Sequence, residues 1–258
     1  MPSSHGWPQS ASSSDDVVSH IRSGMRVFVH GSAATPHPLM EALCRRTDLE
    51  NVTLYHLHTD GAAPWMAPGM EGRFRGVSLF TGPSQREPVN AGRADYVPIF
   101  LSDVPGLFTN GIVPLDAALV QLSPPDRHGR CSLGTAVDAA RAAVDAAGIV
   151  LAEINAQMPR THGNTALPLS RLTAFTATDR ALPEHHPEPE TPEIARIGEL
   201  VAELVEDGAT LQMGIGAIPD AVLSRLGHRL HLGVHTEMFS DRLVDLYATG
   251  AITNDQKS

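Results

Sequence analysis

The chain has 258 residues, 42% hydrophobic and 19% charged, enough for one large globular domain or two modest ones. Its formal net charge of −10 argues against broad binding to nucleic acid or to an anionic membrane surface, while leaving room for an anionic ligand held locally by arginine and backbone N–H groups. Lys257 is the single lysine, which disfavours Schiff-base and phosphate-loop lysine chemistry, and Cys44 and Cys131 do not make a disulfide framework.

Residues 1–14 are rich in Ser and Pro and lack a basic segment followed by an apolar run, so they read as a disordered tail and not as a signal peptide. No apolar stretch reaches the length of a membrane span, and a cytoplasmic protein is expected. Short β-branched or apolar runs then alternate with helical patterns. Strands are predicted at 25–30, 52–58, 77–80, 96–101, 117–122, 149–154, 209–213 and 230–235. Helices are predicted at 36–45, with Thr35 as N-cap and Pro36 in the first position, and at 135–146, where alanine dominates. A third, 192–206, sets Ile194, Ile197, Val201, Leu204 and Val205 on one face. This alternation implies an α/β fold of mostly parallel sheets flanked by helices.

The stretch Leu182-Pro-Glu-His-His-Pro-Glu-Pro-Glu-Thr-Pro192 denies both a helix interior and a central strand. It is expected to be a solvated linker, 183–192, with His185 and His186 in solvent, between a complete α/β domain at 15–182 and the start of a second, related one at 193–258. About 65 residues fold alone only marginally, and two parallel strands leave an open edge, so the second domain is expected to be incomplete, to pack on the first, or to be completed by another chain.

Three places carry candidate chemistry. In Leu211-Gln-Met-Gly-Ile-Gly-Ala-Ile-Pro-Asp220 a strand runs through Gly214 and Gly216 into a helix, a turn that suits a phosphate or carboxylate. A dinucleotide site competes, because Glu237 lies about 20 residues beyond the glycines, but Pro219 occupies the position where the third glycine would allow close helix packing. A tight turn without a ligand is the bland alternative. His56-Leu-His58-Thr-Asp60 resembles the start of the metal motif of metallo-β-lactamase-type hydrolases, with its side chains expected on one face. Gly61 stands where a further histidine belongs and no second cluster follows, so no metal is expected. Cys131 follows Arg130, which favours a thiolate, yet no orienting partner is evident and a packing role is expected. The third place is Gly233-Val-His-Thr-Glu-Met-Phe-Ser-Asp241, where Glu237 stands between a strand and a new helix, suited to act as a covalent nucleophile.

The last segment resembles the active-site segment of the acetyl-CoA hydrolase/transferase family, which includes 4-hydroxybutyrate CoA-transferases. Segments 82–105, 122–134 and 155–163 and the glycine turn resemble the same family, in the same order. The resemblance implies class I CoA-transferase chemistry, with CoA moving between an acyl-CoA such as acetyl-CoA and a short-chain carboxylate such as acetate or 4-hydroxybutyrate. Glu237 matches the catalytic glutamate that forms a mixed anhydride and then a glutamyl-CoA thioester. Gly214, Ile215, Gly216, Ala217 and Ile218 match the CoA-contacting turn. Residues 123–129 and 102–105 resemble segments bordering the active site, and Arg160 and His162 are open to an anionic substrate or to fixing their own loop. No permanent cofactor is implied, since coenzyme A is substrate. An acyl-CoA hydrolase and a non-catalytic CoA-binding module are the alternatives. Family members are longer and carry a later glycine-rich loop that nothing here matches. The expectation is therefore a C-terminally truncated chain, acting as a homo-oligomer or with a missing C-terminal half.

Overall fold

A computed structural model describes residues 7–184 and 189–257. The chain divides into two compact units, Met1–Glu184 and His185–Ser258, and the division falls inside the proline-rich stretch. His185 and His186, expected in solvent, lie outside the described residues, as does part of the expected linker.

In chain order the first unit contains α1 (Ser14–Val18), β1 (Arg26–Val29), α2 (His37–Arg45), β2 (Val52–His56), β3 (Phe74–Ser78), α3 (Pro83–Asn90), β4 (Ala94–Tyr96), α4 (Val104–Thr109), β5 (Ala117–Leu122), β6 (Arg130–Ser132), α5 (Ala140–Ala146), β7 (Ile149–Asn155), β8 (Ala166–Pro168) and β9 (Ala174–Thr178). Seven strands form one sheet in the order β4-β3-β2-β1-β5-β7-β9, and every pairing is parallel. Both faces are covered, which explains why β5 and β7 are mostly apolar, interrupted only toward their carboxyl ends by the buried Gln121, Glu153 and Asn155. Side chains alternate between two cores. Phe28, Ala118 and Val120 meet Val104, Phe108 and Val144 of the helices on one face, while Val27, Val29 and Leu119 meet Val18, Leu39 and Leu43 on the other. The connection reverses direction between β1 and β5, and in such sheets the crevice beyond the carboxyl ends at the reversal is the usual ligand site.

Several local expectations are corrected. The strand predicted at 77–80 is Phe74–Ser78, because Phe74 pairs with Val52 in register and Arg75 is tolerated on the strand, its guanidinium bonded to Asp95. The strand predicted at 96–101 stops at Tyr96, since Pro98 has no N–H for the ladder. Strands β6, β8 and β9 were not expected. Thr35 does not cap α2. Its Oγ1 donates to the Ser32 carbonyl at 2.8 Å, and Pro36 occupies the cap position. From Trp7 onward the expected tail is seated on the unit. Trp7 packs on Phe175, the Ser12 N–H donates to the Phe175 carbonyl at 2.9 Å, and Val17 and Val18 of α1 are buried.

His56, at the end of β2, is buried between Ser78 Oγ at 3.2 Å from Nε2 and Thr59 Oγ1 at 3.1 Å from Nδ1. Burial pushes its imidazole pKa down to about 4 from 6.5. Between those values the unfolded chain binds the extra proton, so the stability contribution is fully present above pH 6.5 and is lost as pH falls to 4, by about 3 kcal/mol. Urea midpoints of the parent protein and of His56→Gln, compared at pH 7 and pH 4.5, should show a shallower acid loss in the variant. Equal slopes would remove His56 as the cause.

The second unit contains α6 (Pro192–Glu203), β10 (Thr210–Leu211), α7 (Ala217–Leu223), β11 (Gly233–Val234) and α8 (Arg242–Ala248). Strands β10 and β11 pair in parallel, Thr210 with Gly233 and Leu211 with Val234. Thr191 caps α6, accepting from the Ile194 N–H at 3.3 Å, with Pro192 in the first turn. The predicted apolar face is packed only in part, with Val205 against the unit's core and Ile194 half-buried. Gly198 and Ala202 are buried while Ile197, Val201 and Leu204 are exposed. A methyl at Gly198 would stand 3.0 Å from the Ala221 backbone, so the small residues let α6 and α7 approach closely. The unit's own core gathers Leu223, Leu226, Leu232, Leu243, Leu246 and Ile252. Among the described residues, no helix is long and apolar enough to cross a membrane.

Candidate active site

Parallel pairing of β10 with β11 brings two carboxyl ends side by side, one leading into the glycine turn and the other into Glu237. The junction continues past the strands. The His235 N–H donates to the Leu211 carbonyl at 2.9 Å. Thr236 then staples the segments from both sides, its Oγ1 donating to the Met213 carbonyl at 2.7 Å and accepting from the Met213 N–H at 3.3 Å. Beyond this staple Gln212 Nε2 donates to Glu237 Oε2 at 3.0 Å. The Glu237 carboxyl is held below the usual carboxylate range, first by its own backbone N–H and then by Gln212. It is therefore an exposed, ionised carboxylate in an open depression of about 360 Å³ that Val234, His235, Met238 and Lys257 also line.

On the other strand end, Gly216 has φ +115° and ψ −179°, a region open in practice only to glycine, and α7 starts directly after it. Ile215 and Ile218 project into solvent beside this turn. Ser240 Oγ donates to Asp220 Oδ1 at 2.6 Å, tying the loop after Glu237 to α7. Gly216→Ala is expected to cost about 1–3 kcal/mol, whereas Gly214→Ala, with open space at its Cβ and no positive φ, should stay within about 0.5 kcal/mol. Thermal unfolding of the two variants checks the contrast.

Gln212, Thr236 and the Ser240–Asp220 pair went unrecognised in the sequence. Gln212 immediately precedes the glycine turn, but only the strand register shows which residue of the other segment it meets.

The remaining sequence candidates lie in the first unit. His56, His58 and Asp60 do not converge. His56 is satisfied by hydroxyls, His58 packs on Phe80 at 4.3 Å between ring centroids, and Asp60 stands 3.9 Å from His37. Among the described residues no group of three His, Cys, Asp or Glu is placed to hold a metal. Burial pushes the Cys131 thiol up to about 12, which outweighs nearby arginine. Arg160 fixes its own surroundings, bonding to the carbonyls of Pro124 and Arg130 and standing 3.6 Å from Asp126. In the 123–129 loop, Asp126 Oδ1 accepts from the N–H groups of His128 at 2.8 Å and Arg130 at 2.9 Å, a turn-forming role, and His162 is exposed. The 102–105 segment continues a short 3-10 turn into α4.

The parallel α/β architecture sets a carboxylate and a glycine turn at adjoining strand ends, and residues 2–185 match the acetyl-CoA hydrolase/transferase N-terminal domain. The chain belongs to the acetyl-CoA hydrolase/transferase family. It is 48% identical over 255 residues to a succinyl-CoA:acetate/propanoyl-CoA:succinate CoA transferase of Fasciola hepatica, covering 97% of this chain and 53% of that protein. Among solved structures, RipA from Yersinia pestis superposes with a TM-score of 0.89 at 30% identity, covering 95% of this chain and 60% of that one. A 4-hydroxybutyrate CoA-transferase from Porphyromonas gingivalis superposes with a TM-score of 0.84 at 36% identity, covering 97% and 59%. The chain thus spans a little over half the length of these relatives.

Proposed function

We propose that the protein transfers CoA between an acyl-CoA, acetyl-CoA or a similar short-chain thioester, and a short-chain carboxylate such as acetate or 4-hydroxybutyrate, with Glu237 as the covalent nucleophile. The observation that carries this reading is the ionised Glu237 carboxylate at the carboxyl end of β11, beside the glycine turn that follows β10. In this reading a carboxylate oxygen attacks the thioester carbonyl, the C–S bond breaks and CoA leaves as thiolate, giving a mixed anhydride. The thiolate then attacks the glutamyl carbonyl and releases the acid, leaving a glutamyl-CoA thioester that a second acid resolves in reverse. Gly214, Ile215, Gly216, Ala217 and Ile218 are assigned to CoA contact, where a glycine backbone lets a ligand approach closely.

A hydrolase is the second reading, favoured by the exposure of Glu237, since water that reaches the acyl intermediate ends the cycle. Incubation with acetyl-CoA followed by borohydride or hydroxylamine tests the proposal. A trapped adduct at Glu237 and labelled acetate entering acetyl-CoA are expected. Free CoA released without an acceptor acid marks the hydrolase. A folded protein that binds CoA yet gives neither adduct nor exchange is a CoA-binding module instead.

A further inference from the structure

We infer that Gln212 is the oxyanion donor for the Glu237 acyl group, a role that rests on the thioester reading above. Gln212 Nε2 lies 3.0 Å from Oε2 of Glu237, which leaves Oε1 as the oxygen that attacks the substrate. Once Oε1 carries the acyl group, Oε2 is the glutamyl carbonyl oxygen. CoA sulfur then adds to Cδ, a C–S bond forms, and the carbonyl electron pair moves onto Oε2. Collapse restores the carbonyl and breaks the Cδ–Oε1 bond, so the acid departs as its carboxylate and no proton changes hands. Charge thus develops and fades on the atom to which Gln212 already donates in the free carboxylate, at 3.0 Å, and a donor aimed at that atom is what an oxyanion requires.

The backbones that carry the two side chains are tied together before substrate arrives. Gln212 follows β10 directly, Glu237 lies three residues past the end of β11, and Thr236 bonds to both backbone groups of Met213 between them. A donor held by paired strands needs little reorganisation during the reaction, which is what makes such donors effective. Gln212 also helps to keep Glu237 ionised for the first attack, so one amide serves both steps.

Gln212→Leu in the 258-residue protein is the test, with two readouts. The first is the rate of borohydride-trapped adduct at Glu237 against acetyl-CoA concentration. The second is the ¹³C carboxyl titration of Glu237, which requires no turnover. Adduct formation about 10²-fold slower at saturation, with the half-saturating acetyl-CoA concentration within about twofold, is expected. The Glu237 titration should move to higher pH in the variant. Equal adduct rates in parent and variant overturn the role of Gln212 and leave Glu237 as nucleophile. An adduct missing from the parent overturns the thioester reading, and the oxyanion role falls with it even where the titration still moves.

Discussion

Glu237→Gln is expected to remove the trapped adduct entirely and to lower any acyl exchange by about 10⁴-fold or more, the scale seen when a covalent nucleophile is deleted. The amide has the same shape but no charge, and its nitrogen lone pair is delocalised, so it cannot form the anhydride. Glu237→Asp keeps the charge but withdraws it by about one methylene, and a shift of about 1 Å at a reacting atom costs about 10²-fold. Mass spectrometry after trapping, run beside a rate assay, separates the two variants. Neither should alter folding, because Glu237 is exposed and its side-chain partner is a single exposed glutamine. The pH dependence follows from the lowered pKa: adduct formation should stay level from neutral pH down through the usual carboxylate range, and fall only in stronger acid. A Glu237→Gln protein that still forms the adduct ends the proposal.

The largest effect on stability is expected from Arg180→Met. Glu153, on β7 beside the edge strand β9, is fully buried. Arg180 Nε and Nη2 bond to its two oxygens at 2.6 and 2.9 Å, and Thr178 Oγ1 adds a third bond at 2.7 Å. The same Arg180 Nη2 reaches the Thr35 carbonyl at 3.0 Å, and Asn155 brackets the Arg180 backbone from both sides. Removing the arginine strands a buried carboxylate, which costs about 3–5 kcal/mol. In urea the midpoint should drop with little change in slope. Replacing Glu153 and Arg180 together by Met should recover most of the loss, as buried pairs exchanged for apolar residues often are neutral. A single-variant cost below about 1 kcal/mol would show that the pair holds little.

Residue types and their order were enough to establish the parallel α/β class, the family and the candidate nucleophile. Two-sided burial leaves apolar runs at 117–122 and 149–154 that survive any uncertainty at their ends, and the strands found there are Ala117–Leu122 and Ile149–Asn155. Local patterns misled where the deciding partner was distant. Residues 192–206 show an apolar stripe, yet the fully buried positions are Gly198 and Ala202, because close approach of two helices favours small side chains. Trp7 and Ser12 lie in a Ser- and Pro-rich stretch whose composition suggests disorder, but they find Phe175, more than 160 residues away, on the edge strand.

What the sequence determined by itself was therefore the chemistry on offer: a glutamate between strand and helix, a glycine turn before it, and short apolar runs alternating with helical patterns, as a parallel sheet requires. The tertiary structure decided which groups meet. Gln212 and Glu237 are 25 residues apart, and Glu153 and Arg180 are 27 apart, so no periodicity links either pair. Their contacts come from parallel strands, whose register is set by side chains packing along the whole length of each strand and not by the residues that finally touch.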